Sequence, residues 1–240
     1  MGYALTLKNG DVLRWGAVVQ DTAAQTSLFG VSNAPVNMQL ATVELQKTFG
    51  STTAVMTLGQ MQETDAVMGM RGTGALAIGA QSTTTFMALA ASKAIAPKTQ
   101  LSAMVSVGST AAYSNASASL IDGASASQTA AWSLGVARSD VLRSGDSLGL
   151  TVSMPLHTTT GSMQVTTASA QNQEDGALSY TTQSLSLSPS GVEKDIELAY
   201  ARPSVLGGKL SAMAVVKLEP GHDAQAPTQL GVGMSYQKAF

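Results

Sequence analysis

The sequence contains no cysteine, which excludes disulfide bonds and thiolate metal sites. Such a chain also suits passage, unfolded, through an oxidising compartment. Charged residues make up 12% of the 240, about half of the usual ~25%. A water-soluble domain of this size covers its surface with Lys, Glu, Asp and Arg, so much of the exposed surface here must be something else. The net charge of -2 provides neither a strongly basic nor a strongly acidic surface, and no nucleic-acid partner is expected. Long apolar runs are missing too. The longest weakly polar stretch, "GTGALAIGA", falls well short of the ~18 residues that a membrane-spanning helix needs, and it is rich in Gly. Neither a basic start nor an apolar signal region follows Met1, so an exported chain would be represented here by a mature form or by a domain of a longer one.

Histidine is almost absent, with only His157 and His222, at a strand end or in a connector, where a solvated ring is expected. Without a positioned His, the abundant Ser and Asp suggest no catalytic triad. "RGTGALAIGA" lacks the strand-to-helix setting and the following Lys-Ser of a phosphate loop, and reads as a flexible connector. In "QNQEDG", Glu174 and Asp175 are too few oxygen ligands for calcium and read as a solvated turn. The twelve methionines fall on both strand faces and in loops, as packing residues do. No enzyme activity, cofactor or metal is expected.

What the chain does have is alternation with period two. In "DSLGLTVSMPLH", Leu148, Leu150, Val152, Met154 and Leu156 oppose Gly149, Thr151, Ser153, Pro155 and His157. "QTAAWSLGVAR", "QLSAMVSVGS", "DIELAYA" and the C-terminal "LGVGMSYQKAF" repeat the pattern. Turn signals such as "NGD" at 9–11, "RSGD" and "SPSG" separate the runs. The expected strands are 2–8, 11–20, 37–48, 52–62, 82–94, 100–113, 128–139, 146–165, 177–188, 192–203, 208–219 and 229–240. Longer connectors at 21–36, 63–81, 115–127, 166–176 and 220–228 mostly alternate with short turns, as in an up-and-down barrel with one loop-rich rim. Between the last two connectors, two short turns fall where alternation permits one.

Alternation does not say whether the apolar face meets protein or lipid. The opposite face does, because it carries Gly, Ala, Ser and Thr where a soluble sandwich would carry long polar residues. Small side chains suit a confined lumen. The few charges inside strands, Arg14, Glu44 and Glu197, fall on that small-residue face and are expected to point into the lumen, since a charge facing mid-membrane lipid costs ~2–4 kcal/mol. Eleven aromatics make a thin interfacial girdle, and a soluble β-sandwich or solenoid with a Ser/Thr-rich surface is the competing reading.

Residues 128–240 resemble a family. "LGVARSD", "GDSLGLTVSMPL", "LSPSGVEKDIELAYARP" and "LEPGH", in that order before the final strand, look like the C-terminal domain of alphaproteobacterial subtilisin-like serine peptidases of the autotransporter kind. The resemblance implies an outer-membrane β-barrel that anchors, or helps to export, an N-terminal passenger. It implies no peptidase activity here, because that family's triad lies in the passenger. The last strand also resembles the pattern by which the outer-membrane barrel-assembly machinery recognises its substrates: Gln229, Gly231, Met234 and Tyr236 take its polar, glycine, large apolar and aromatic places, and Phe240 supplies a terminal aromatic.

The expectation is therefore a single all-β domain over 1–240, a transmembrane antiparallel up-and-down β-barrel of about twelve strands in a bacterial outer membrane. It would be non-enzymatic, with lipid, the assembly machinery and a passenger or associated surface protein as partners. The alternative is a structural or assembly β-domain packing with other subunits, without a channel role.

Overall fold

The computed structural model describes residues 1–22, 25–26, 32–33, 36–69, 71–72, 74–79, 81–115, 119–171, 178–204 and 207–238. Among them are seventeen strands, two short 3-10 turns and no α-helix. The strands are β1 (Gly2–Thr6), β2 (Val12–Thr22), β3 (Gln25–Thr26), β4 (Ser32–Asn33), β5 (Val36–Phe49), β6 (Thr52–Thr64), β7 (Gln81–Ala96), β8 (Thr99–Thr110) and β9 (Tyr113–Ser114). They continue with β10 (Ile121–Ala124), β11 (Ser127–Ser139), β12 (Ser147–Thr160), β13 (Ser162–Ala170), β14 (Leu178–Ser186), β15 (Lys194–Ser204), β16 (Gly208–Leu218) and β17 (Gln229–Gln237).

Eleven strands form one antiparallel sheet in the order β1-β2-β5-β6-β7-β8-β11-β12-β15-β16-β17, each beside the preceding strand of this sheet. Short turns and long connections alternate without exception. The short turns join β1 to β2, β5 to β6, β7 to β8, β11 to β12 and β15 to β16, and the remaining links are long. Eleven of the twelve expected strands are the strands of this sheet. The twelfth, 177–188, is β14, which pairs with β13 in a second sheet of order β14-β13-β10-β9. Among the described residues the main sheet thus has eleven strands, and the turn that broke the alternation disappears, because β13 and β14 pair with each other within one long connection. The expected strand 146–165 is accordingly two. It breaks at Gly161, whose φ of +133° lies in the region that glycine tolerates best.

The register gathers the apolar side chains into rows on one face. Leu5, Leu13, Leu45, Met56, Leu89, Val105 and Trp132 are successive cross-strand partners, and so are Val136, Leu150, Leu198, Ala214 and Val232. Most of these side chains are exposed: Leu89 is 49% accessible, Leu198 47% and Val232 82%. Tyr3 stacks on Trp15 at the β1 end, ring centroids 5.7 Å apart. Among the described residues the charged side chains on this face, Lys47, Lys93, Arg138, Lys194 and Arg202, all fall within four residues of a strand end.

The opposite face carries the small residues. Glycine there makes room for large neighbours: a Cβ on Gly59 would meet the Phe86 ring at 2.2 Å, and one on Gly231 would meet Val215 at 2.9 Å. Most of the buried residues gather toward the long connections. Ala66, Val67, Ser82, Thr84, Thr110, Ile121, Ser127 and Thr129 are packed there, with Ser82 donating to the Ala66 carbonyl at 2.9 Å and Thr84 bonded to Thr110 at 2.8 Å. Of "GTGALAIGA", expected as a connector, residues 74–79 lie in this rim, where the Asn115 amide donates to Ala77 and Ile121 and accepts from the Gly79 N–H. Among the described residues no ladder joins β1 to β17, and the sheet has two free edges.

Candidate functional site

Polar groups on the small-residue face fall into separate clusters. Arg14 and Glu44 are direct cross-strand partners on β2 and β5 and form an ion pair, and Arg14 Nη2 donates to Gln46 Oε1 at 2.8 Å. Two of the three charges expected on this face thus neutralise each other, and both remain part-exposed. Such a pair contributes modestly to stability, because water screens it. Glu197 lies apart on β15, opposite Thr151 and Val215, and lines a cavity of about 440 Å³ with Gly149, Ala199, Ser211, Met213, Gly233 and Ser235. Gly and Ser on β12, β16 and β17, with Ala199 on β15 between them, leave this volume open.

A third cluster sits at the long-connection end of β15 and β16. Lys217 Nζ donates to Glu193 Oε1 at 2.9 Å and lies 3.4 Å from Asp195 Oδ2. Glu193 is buried, and its second oxygen accepts the Gly221 N–H at 2.6 Å. The Lys217 ammonium bonded to it holds the Glu193 carboxyl below the usual carboxylate range; burial pushes the other way, and the Gly221 N–H helps the ammonium prevail.

The two histidines meet beside this cluster. Their rings lie 5.2 Å apart, tilted by 32°. His157 Nδ1 bonds the Ala130 carbonyl at 3.2 Å, His222 Nε2 the Leu156 carbonyl at 3.2 Å, and the Glu193 N–H donates to His222 Nδ1 at 2.9 Å. Pairing of β12 with β15 stops at Ser153↔Asp195, which leaves the far part of β12 in need of other partners. The register of β12 against β11 also shifts between Met154 and His157, around Pro155, which has no N–H to give to a ladder. His222 and Ser188, whose hydroxyl donates to the Thr159 carbonyl at 2.7 Å, occupy that edge. Rings read from the sequence as separate and solvated are therefore an ordered pair. Their meeting depends on a strand overrunning its neighbour, a feature to which local pattern is blind.

The turn at 219–222 is clasped to residues 190–193. Glu219 Oε2 accepts the Val192 N–H at 2.7 Å, and the Gly191 N–H donates to the His222 carbonyl at 2.8 Å. A Cβ on Gly191 would lie 2.5 Å from the Ala224 amide nitrogen and 2.9 Å from its Cα, both backbone atoms. Gly191→Ala is expected to destabilise by about 1–3 kcal/mol through this overpacking. Limited proteolysis checks it, with new cleavage expected within 219–228 before any in the main sheet.

Four of the five residues expected as an assembly signal, Gln229, Gly231, Met234 and Tyr236, lie on the edge strand β17. Gln229 pairs with Lys217 and Gly231 with Val215. Met234 is 75% exposed, and the Tyr236 hydroxyl donates to the Gly207 carbonyl at 3.0 Å. Phe240, Glu174 and Asp175 lie outside the described residues. No cluster of three or more potential metal ligands occurs among the described residues. Comparisons with family models, curated proteins and solved structures give no match for this chain.

Proposed function

We propose that this sheet is the wall of an outer-membrane β-barrel that serves as the anchor or translocator unit of an autotransporter-like surface or secreted protein. The observation that carries the reading is the exposed apolar face, uncharged between its strand ends. On β15 it runs from Lys194 to Arg202 through Ile196, Leu198 and Tyr200. Eight residues at ~3.4 Å span roughly 27 Å along the strand, and a tilt of ~40° brings that to about 20 Å, close to the ~25 Å apolar band of such barrels. Short turns on one rim and long connections on the other fit the periplasmic and outer sides of an outer-membrane barrel.

Parity bears on closure. With eleven antiparallel strands, β1 and β17 run in the same direction, from the long-connection rim to the short-turn rim. Joining them directly would create one parallel pair. A further strand, antiparallel to both, would close an all-antiparallel barrel of twelve. Free edges in hydrocarbon cost several kcal/mol per unpaired backbone group, so a membrane-embedded form requires such closure. The anchor or translocator role rests on the motif order of 128–240. The Arg14–Glu44 pair and the cavity around Glu197 would then line the lumen.

Membrane fractionation followed by gel electrophoresis with and without boiling tests the reading. Recovery with outer membranes and a heat-dependent change of mobility are expected. A soluble protein without that change would favour the alternative, in which other subunits cover the apolar face.

A further inference from the structure

His222 has an acceptor's work on one ring nitrogen and a donor's on the other. Its Nδ1 receives the Glu193 N–H at 2.9 Å, and its Nε2 faces the Leu156 carbonyl at 3.2 Å. One neutral tautomer satisfies both, with the proton on Nε2. A second proton would have to sit on Nδ1, where it would oppose the Glu193 N–H and abolish that bond. The turn that carries this ring is held in an uncommon conformation, since Glu219 and His222 have φ of 50° and 59°. Non-glycine residues stay there only when surrounding contacts impose it. Those contacts are the clasp to 190–193.

We propose that His222 is a pH-released latch: in its neutral form it fixes the 219–226 connection to the 190–193 segment and the free edge of β12, and its protonation lets that connection go. Among the described contacts, the groups around the ring give a protonated imidazole no partner to replace the bond it would lose. From the 190–193 segment comes Glu193, whose carboxylate is already committed to Lys217 of β16 and to the Gly221 N–H. Asp195 of β15 also faces Lys217. On the turn itself, Glu219 is bound to the Val192 N–H, and Asp223 to the Ser190 hydroxyl and the Gln225 N–H. Among the described contacts none of these carboxylates reaches the imidazole. β12 presents His157, whose ring at 5.2 Å would repel a charged neighbour once itself charged, and β11 presents the Ala130 carbonyl. The Glu193 carboxylate, bonded through one oxygen to Lys217 and through the other to the Gly221 N–H, is not available as a partner for a protonated ring. The latch depends on this local geometry and stands whether or not the sheet closes as a barrel.

Hydrogen exchange on the full chain, corrected for the intrinsic pH dependence of exchange, tests it at pH 7.5 and 5.0. Peptides covering 188–194 and 219–226 are expected to lose protection about tenfold at pH 5.0, as loss of one hydrogen bond of ordinary net strength would give, while β15 and β16 hold. His222→Gln keeps an acceptor and a donor but cannot take up the proton, and should remain protected at both pH values. Unchanged protection in the native chain, or an equal pH response in His222→Gln, would overturn the latch. Nitrogen chemical shifts of the native ring give a measurement that needs no variant: the Nε2–H tautomer at pH 7.5, titrating together with the loss of protection, supports the latch, and the Nδ1–H tautomer contradicts it.

Discussion

Leu198→Arg is expected to destabilise the protein in phospholipid bilayers by about 2–4 kcal/mol, the cost of a cation near the middle of a barrel's lipid face. Leu198 is the central residue of the apolar stretch between Lys194 and Arg202, and it is 47% exposed. In a soluble protein the same change at a half-exposed site would alter stability by no more than about 0.5 kcal/mol. The two readings thus differ by a measurable margin at one residue. Thr151→Lys is the control: it places a cation on the opposite face, directly across from Glu197, and is expected to be nearly neutral. Reversible urea unfolding in vesicles, followed by the fluorescence of Trp15 and Trp132 on the apolar face, measures both. Near-equal, small effects would sink the membrane reading. A Leu198→Arg protein that folds normally but no longer self-associates would point to subunits covering that face.

Much of this fold was legible because its information is local. Each strand of the main sheet announces itself by alternation, and the face assignments of Arg14, Glu44 and Glu197 follow from parity with their neighbours. What alternation could not supply was the sheet to which a strand belongs. "LSYTTQSLS" alternates well enough to read as a wall strand, and "SMQV" as the end of one with "TTASA" in a connector, yet 162–170 and 178–186 pair with each other beyond Gly161. Their membership is decided by the glycine bend and by long-range pairing with β10.

The polar sites were less legible, for a related reason. That Arg14 and Glu44 share a face is a property of each strand, but that they are partners is a property of the β2–β5 register. The same applies more strongly to His157 and His222, 65 positions apart in sequence. The chain's scarcity of histidine made each ring look incidental. Only the early end of the β12–β15 ladder brings them together, and no motif encodes it.

Asp146→Ala should be the most damaging change outside the apolar face. Asp146, in the short turn between β11 and β12, is 1% exposed, and its carboxylate accepts the N–H groups of Val141, Leu142 and Arg143 at 2.7–3.0 Å and the Tyr200 hydroxyl at 2.9 Å. Four donors lose their acceptor together in the alanine variant, and Tm is expected to fall by on the order of 5 °C. Tyr200→Phe removes one donor and should cost much less. Burial pushes the Asp146 carboxyl up, but the three backbone N–H bonds and the Tyr200 hydroxyl outweigh it and hold the group below the usual carboxylate range. The sign of the pH effect follows. A carboxyl with a lowered folded-state pKa contributes its full stability above its unfolded value of about 3.9, and loses it as pH falls through the lower folded value. The stability gap between the native chain and Asp146→Asn should therefore be constant from pH 7 to about 5 and shrink steadily below 4. The neighbouring Lys98–Asp140 bridge, at 2.7 Å, ties this turn to the β7–β8 turn, so the damage should spread to that hairpin first. Thermal melts of the three variants at pH 7, 5 and 3 measure this, and a gap that widens on acidification would show that Asp146 is not held as an ionised acceptor.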